Sequence, residues 1–121
     1  MHLKFRAQKV SYNEAIGGEI VQVVFEEFEE GKIDSPFERS ALYLLVSMNY
    51  EFDGNSPTLE WYDGNEFNGG AEVLNYKINR NSLQMRLNNN LSFNITFSTD
   101  ENTFINIVSF MSRMFGEFTN A

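Results

Sequence analysis

Residues 71–97 constrain this chain more than any other stretch, because apolar and polar side chains alternate there three times over between polar breaks. Leu74, Tyr76 and Ile78 alternate with Asn75, Lys77 and Asn79; Leu83, Met85 and Leu87 with Ser82, Gln84 and Arg86; Leu91, Phe93, Ile95 and Phe97 with Ser92, Asn94 and Thr96. Successive side chains of a strand point to opposite faces, so a period of two predicts three half-buried antiparallel strands. Parity also sets the register, since a slip of one residue would turn a whole apolar row into water. Setting Ile78 opposite Leu83 leaves the loop Asn79-Arg80-Asn81-Ser82. Setting Leu87 opposite Leu91 leaves Asn88-Asn89-Asn90, where asparagine tolerates the left-handed backbone that such a loop needs. The resulting meander has one wet face and one apolar face that demands a cover.

The next run changes period. Phe104, Ile107, Val108, Met111, Met114 and Phe115 fall at helical spacings and form one stripe, which Ile105 and Phe110 broaden. Ser98 followed three residues later by Glu101 has capping-box spacing, Asp100 adds charge to the first turn, and Gly116 stands where a helix would end. The expected place of this helix is across the apolar face of the meander.

Upstream, Leu3, Phe5 and Ala7 alternate with Lys4, Arg6 and Gln8, and residues 10–12 continue the pattern into one opening strand. Gly17-Gly18 marks a turn. In residues 19–28 the most continuous apolar row is Val21, Val23 and Phe25. Residues 32–40, with Pro36 and no period, read as a connection. Residues 41–52 form a long strand carrying Leu42, Leu44, Val46, Met48 and Tyr50 on one parity, a helix over 36–47 being the competing expectation. A short strand at 58–62 lies between the turn dipeptides Asp53-Gly54 and Asp63-Gly64, and residues 66–70 form a flexible approach to the meander. The fold class expected is α+β: one domain over residues 1–121, with a strongly curved antiparallel sheet of about seven strands and one C-terminal helix packed on it. The pleckstrin-homology-like barrel shares that element order and is the alternative.

Composition narrows the chemistry. With no cysteine, disulfides and thiolate catalysis are excluded. Residues 1–10 hold no uninterrupted apolar core of a signal peptide and no run reaches membrane-spanning length, so the expected compartment is the cytoplasm, without a membrane partner. The acceptor patterns at 90–92 and 94–96 read as the polar face of a strand rather than as glycosylation sites. A net charge of −8 sets nucleic acid aside as a partner, because such affinity comes from neutralising phosphates with Lys and Arg. It suits a basic protein partner, though acidity also serves solubility alone.

His2 is the only histidine, so a Ser-His-Asp triad or a histidine metal site has nothing to be built from. The oxygen-rich run 63–69 fails as a calcium loop: its glycine comes one place late, and Leu74 stands where a bidentate glutamate belongs. Gly69-Gly70 precedes a strand rather than a helix, which removes a phosphate cradle. No catalytic residue, cofactor or metal is therefore expected, and a hydrolase using two carboxylates is the competing class. What remains is a set of aromatics interleaved with acids in and beside turns: Glu60, Tyr62, Asp63, Glu66 and Phe67. Rings with acidic neighbours suit an interface with a basic partner. Trp61, on the opposite parity to Tyr62, is assigned to the core. The acidic cluster 26–30, from Glu26 to Glu30, is a second candidate surface.

The order of several features resembles the tenth catalogued immunity-protein family of bacterial polymorphic toxin systems. The similar residues are the apolar strand 42–50, Leu59-Glu-Trp-Tyr-Asp63, Gly69-Gly70 followed by a strand, Asn79-Arg-Asn-Ser-Leu83, the spaced Leu83 and Leu87, Phe93-Asn-Ile-Thr-Phe97, and the closing apolar helix. They span about the last two-thirds of the chain. The resemblance implies an immunity protein that binds and blocks a cognate toxin domain, and it carries over no catalytic set. A small structural or regulatory interaction module without a toxin partner is the alternative, and the oligomeric state is left open.

Overall fold

The computed structural model describes residues 2–15, 17, 19–27, 42–50, 57–63 and 66–116. Among them are nine strands and one helix: β1 His2–Ala7, β2 Lys9–Ala15, β3 Ile20–Glu26, β4 Tyr43–Asn49, β5 Thr58–Tyr62, β6 Phe67–Gly69, β7 Val73–Ile78, β8 Ser82–Leu87, β9 Ser92–Phe97 and α1 Glu101–Phe115. The class is α+β, as expected. The strands form two sheets rather than one of about seven strands: a four-stranded sheet in the order β1-β9-β8-β7 and a five-stranded sheet in the order β2-β3-β4-β5-β6. The expected connection at 32–40, the Asp53-Gly54 turn and residues 28–30 of the acidic cluster lie outside the described residues.

The meander is built as its parity requires. Ile78 faces Leu83, Leu83 faces Ile95 and Met85 faces Phe93. The Leu87 amide donates to the Leu91 carbonyl at 2.8 Å, closing the three-asparagine loop in which Asn90 has φ of 68°. At the other hairpin the Asn79 side-chain oxygen accepts from the amides of both Asn81 and Ser82, which pins the turn without glycine. One row departs from the alternation. A bulge between Val73 and Asn75 turns Leu74 out to 59% exposure, and Val73 packs against the core in its place.

The apolar face of the meander is covered by the second sheet at Phe93 and Phe97 and by the helix at Tyr76. Trp61 of β5 meets Phe93 of β9 edge-on with ring centroids 5.8 Å apart, and Phe25 of β3 meets Phe97 of β9 at 5.5 Å. The inner row Val21, Val23, Phe25 continues through Leu44, Val46 and Met48 to Leu59 and Trp61, all buried. The helix seals an open side between the sheets. Its Phe110 packs edge-on against Tyr12 of β2 and its Phe115 against Tyr76 of β7, while the Tyr76 hydroxyl donates to the Gly116 carbonyl at 2.7 Å. Phe110, Ile107 and Met111 are buried and Ile105 is exposed, so the stripe widens on one side only.

Three further expectations are corrected. The opening stretch is two strands: the chain breaks at Gln8, and β1 runs parallel to β9 while β2 pairs antiparallel with β3. Alternation tells which face a residue occupies but not strand direction, so a parallel edge is invisible to it. The helix cap is Asp100 rather than Ser98. Its carboxylate accepts from the Thr103 amide at 3.1 Å and the Thr103 hydroxyl at 2.6 Å, and these bonds hold its pKa below the ordinary aspartate value. Residues 67–69 are strand β6, paired with β5, rather than a flexible approach.

Phe93 sits where both sheets meet, so Phe93→Ala should lower the unfolding free energy by about 3–5 kcal/mol. Leu74→Ala, on the bulge, should cost less than about 1 kcal/mol, both read by urea denaturation. Asp100 titrates at lower pH in the fold than in the unfolded chain. Its contribution is present above the unfolded value and lost as pH falls through the folded one, and Asp100→Asn should flatten the acid limb of thermal stability below about pH 4 while keeping the cap oxygen.

Candidate partner-binding surface

The outer face of the five-stranded sheet follows from its inner row. Because Leu44, Val46, Leu59 and Trp61 point inward, Tyr43, Leu45, Glu60 and Tyr62 must point out. The register aligns them in two rows across the strands. One runs Lys9, Glu26, Tyr43, Tyr62 and Phe67; the next runs Ser11, Val24, Leu45, Glu60 and Gly69. Tyr43, Leu45, Val24 and Tyr62 are half-buried, an apolar strip on a solvent-facing sheet, and Glu26 and Glu60 flank it. Burial first, and then the charge of Glu60, push the Tyr43 hydroxyl above its ordinary pKa, which places the carboxylate and the phenol in one environment. A shallow hollow of about 360 Å³ opens between Tyr43, Glu60, Asn68 and Gly69.

Four of the five residues singled out from the sequence can be placed by their side chains. Glu60 is exposed and Tyr62 is half-buried, both on this face. Glu66 is exposed in the turn between β5 and β6. The Asp63 carboxylate accepts from the Glu66 amide at 2.8 Å and from Asn68 Nδ2 at 3.2 Å, so it holds the turn. Phe67 is placed by its backbone, opposite Tyr62. Trp61 is buried, as assigned. The sequence reasoning missed Tyr43, Leu45 and Val24, which reach the strip only through strand pairing; the secondary apolar parity of β3 and β4 was their one visible signal. Of the second candidate, Glu26 lies in the first row and Glu27 accepts the Leu42 amide at 3.2 Å, while 28–30 fall outside the described residues.

Strand β6 approaches β5 closely. A Cβ at Gly69 would stand 2.9 Å from the Leu59 carbonyl oxygen, so only glycine lets the edge strand close here. Among the described residues there is no group of three His, Cys, Asp or Glu side chains placed to hold a metal ion, no buried charged side chain, and no helix long and apolar enough to cross a membrane. No family model, curated protein or solved structure matches the chain.

Removing the Asp63 carboxylate takes two hydrogen bonds from the β5–β6 turn. Asp63→Ala should destabilise that hairpin by about 1 kcal/mol and speed amide exchange at Glu66 by roughly fivefold. Glu60→Ala, which leaves the turn intact, should leave that exchange rate unchanged.

Proposed function

We propose that the protein is an immunity factor that works by binding rather than catalysis, occupying a basic toxin domain in the cytoplasm through the outer face of the five-stranded sheet. The observation that carries this is the half-buried Tyr43–Tyr62 strip bordered by Glu26, Glu60 and Glu66 on a chain of net charge −8. Aromatic side chains on a rigid sheet supply contact area at low entropic cost, and a surrounding acidic rim steers a basic partner and orients it. A toxin that acts on nucleic acid carries a basic face of its own, which an acidic surface can cover. The order of sequence features shared with the immunity-protein family supports the same reading.

Co-expression with the toxic domain encoded immediately upstream should restore growth of the host. A variant combining Tyr62→Ala, Glu60→Lys and Glu66→Lys should lose rescue while keeping its circular dichroism and melting temperature, Asp63 being left in place to preserve the turn. Rescue undiminished by the triple variant removes this surface from the interface, and failure of the unmodified protein to rescue counts against immunity to that toxin. Association with the purified toxin domain should slow by about tenfold or more between low and physiological salt, as measured by stopped-flow fluorescence.

A further inference from the structure

The opposite side of the molecule has the opposite charge. Strands β1, β7, β8 and β9 contain four of the nine Lys and Arg residues and not one Asp or Glu, in a chain with 17 acids. The inner row of this sheet consists of Leu3, Phe5, Tyr76, Ile78, Leu83, Met85, Phe93, Ile95 and their neighbours, so the cations are all on the outward parity. Register brings them into rows. Lys4 aligns with Asn94, Gln84 and Lys77 across the four strands, and His2 with Ser92, Arg86 and Asn75. Lys4 and Lys77 thus sit at the two edges, roughly 14 Å apart at three strand spacings. Arg6 extends the positive edge along β1. Among the described residues no ion pair ties any of these four cations to a carboxylate.

The face is also shaped. A groove of about 500 Å³ crosses it, and His2, Asn75, Lys77, Gln84, Arg86 and Asn94 are among its walls. Carboxamides of Asn and Gln donate and accept together, which matches the peptide groups of an extended chain, and the Lys and Arg heads match carboxylates. The outward positions of the four strands hold no Phe, Tyr or Trp, and the one ring there, His2, is engaged through Nδ1 with the Ser92 hydroxyl at 2.6 Å, so the face lacks the succession of aromatic rings on which nucleic-acid bases stack.

We propose that the outer face of the β1-β9-β8-β7 sheet is a second docking surface, and that its partner is an acidic polypeptide segment lying extended in the groove lined by Arg86 and Lys77, with Lys4 on the edge strand beside Asn94. This surface is separate from the strip assigned to a basic partner and does not depend on that assignment. The test is fluorescence anisotropy of the whole protein with a fluorescein-labelled peptide of alternating Glu and Ser, alongside a single-stranded oligothymidylate of equal length. The peptide should bind saturably, and more tightly than the oligothymidylate. Combining Lys4→Glu, Lys77→Glu and Arg86→Glu should weaken peptide binding by about tenfold or more, whereas Lys9→Glu, on the other sheet, should change it less than about twofold. The corresponding triple change to Gln keeps the chain folded if charge reversal does not, and it should weaken binding in the same direction. Absence of saturable peptide binding, tighter binding of the oligothymidylate, or an equal loss from Lys9→Glu would each overturn the proposal.

Discussion

The contact on which the rest depends is the face-to-face packing of two sheets through Trp61 on Phe93 and Phe25 on Phe97. Sheets stacked about 10 Å apart leave room for one layer of interdigitating side chains from each, so a large ring on one inner row fixes what can stand opposite. Once those rows are set, strand pleating assigns each neighbouring residue to an outer face. The solvent surface is therefore a by-product of the core: Glu60 and Tyr62 are outside because Leu59 and Trp61 are inside, and Lys4 is outside because Leu3 and Phe5 are inside. The helix is secondary in this respect. It closes a side of the sandwich through Phe110 and Phe115 rather than forming one of its two layers.

The parts of the fold that could be read from the amino-acid sequence are those governed by parity. The pairing of Ile78 with Leu83, the Asn88–Asn90 loop, the burial of Val21, Val23 and Phe25 and the inward turn of Trp61 all follow from alternation plus turn chemistry. The parts that could not be read are those governed by pairing partners. Nothing in Leu3-Lys4-Phe5-Arg6 distinguishes a strand running parallel to β9 from one antiparallel to another neighbour, and that one choice divides the strands into two sheets. The bulge at Leu74 escaped for a related reason: alternation continues through it in sequence while the backbone shifts by one. For the cap, Ser98 and Asp100 are both competent residues, and the Thr103 hydroxyl gives Asp100 a second bond that the Glu101 spacing did not reveal.

The same division explains the candidate surface. Glu60 and Tyr62 were legible because their parity opposes that of Leu59 and Trp61 within a single short strand. Asp63 was visible as an acid in a turn, yet only the geometry shows that its carboxylate bonds that turn, since an Asp-Gly dipeptide reads the same in sequence whether or not the side chain does so. Tyr43 needed the β4–β5 register, which sets it across from Tyr62. A surface assembled from several strands is written in the pairing of the chain with itself, and local pattern carries it only one strand at a time.

Two outer faces of opposite sign on one small acidic protein raise the question of whether each can act independently. At low ionic strength the net charge of −8 dominates at a distance, favouring a basic partner and opposing an acidic one wherever it approaches. At physiological ionic strength the screening length is about 8 Å, shorter than the separation of the two sheets plus the side chains that project from them. A ligand close to Lys4, Lys77 and Arg86 then responds chiefly to those cations, and one close to Glu26 and Glu60 to those acids. Between the faces stands a core without a buried charged side chain among the described residues, so no charged pair in that layer links them. Substitutions on the two faces, being far apart and without shared partners, should therefore be nearly additive in their effects on stability, and disabling one of the two proposed surfaces should leave the other intact.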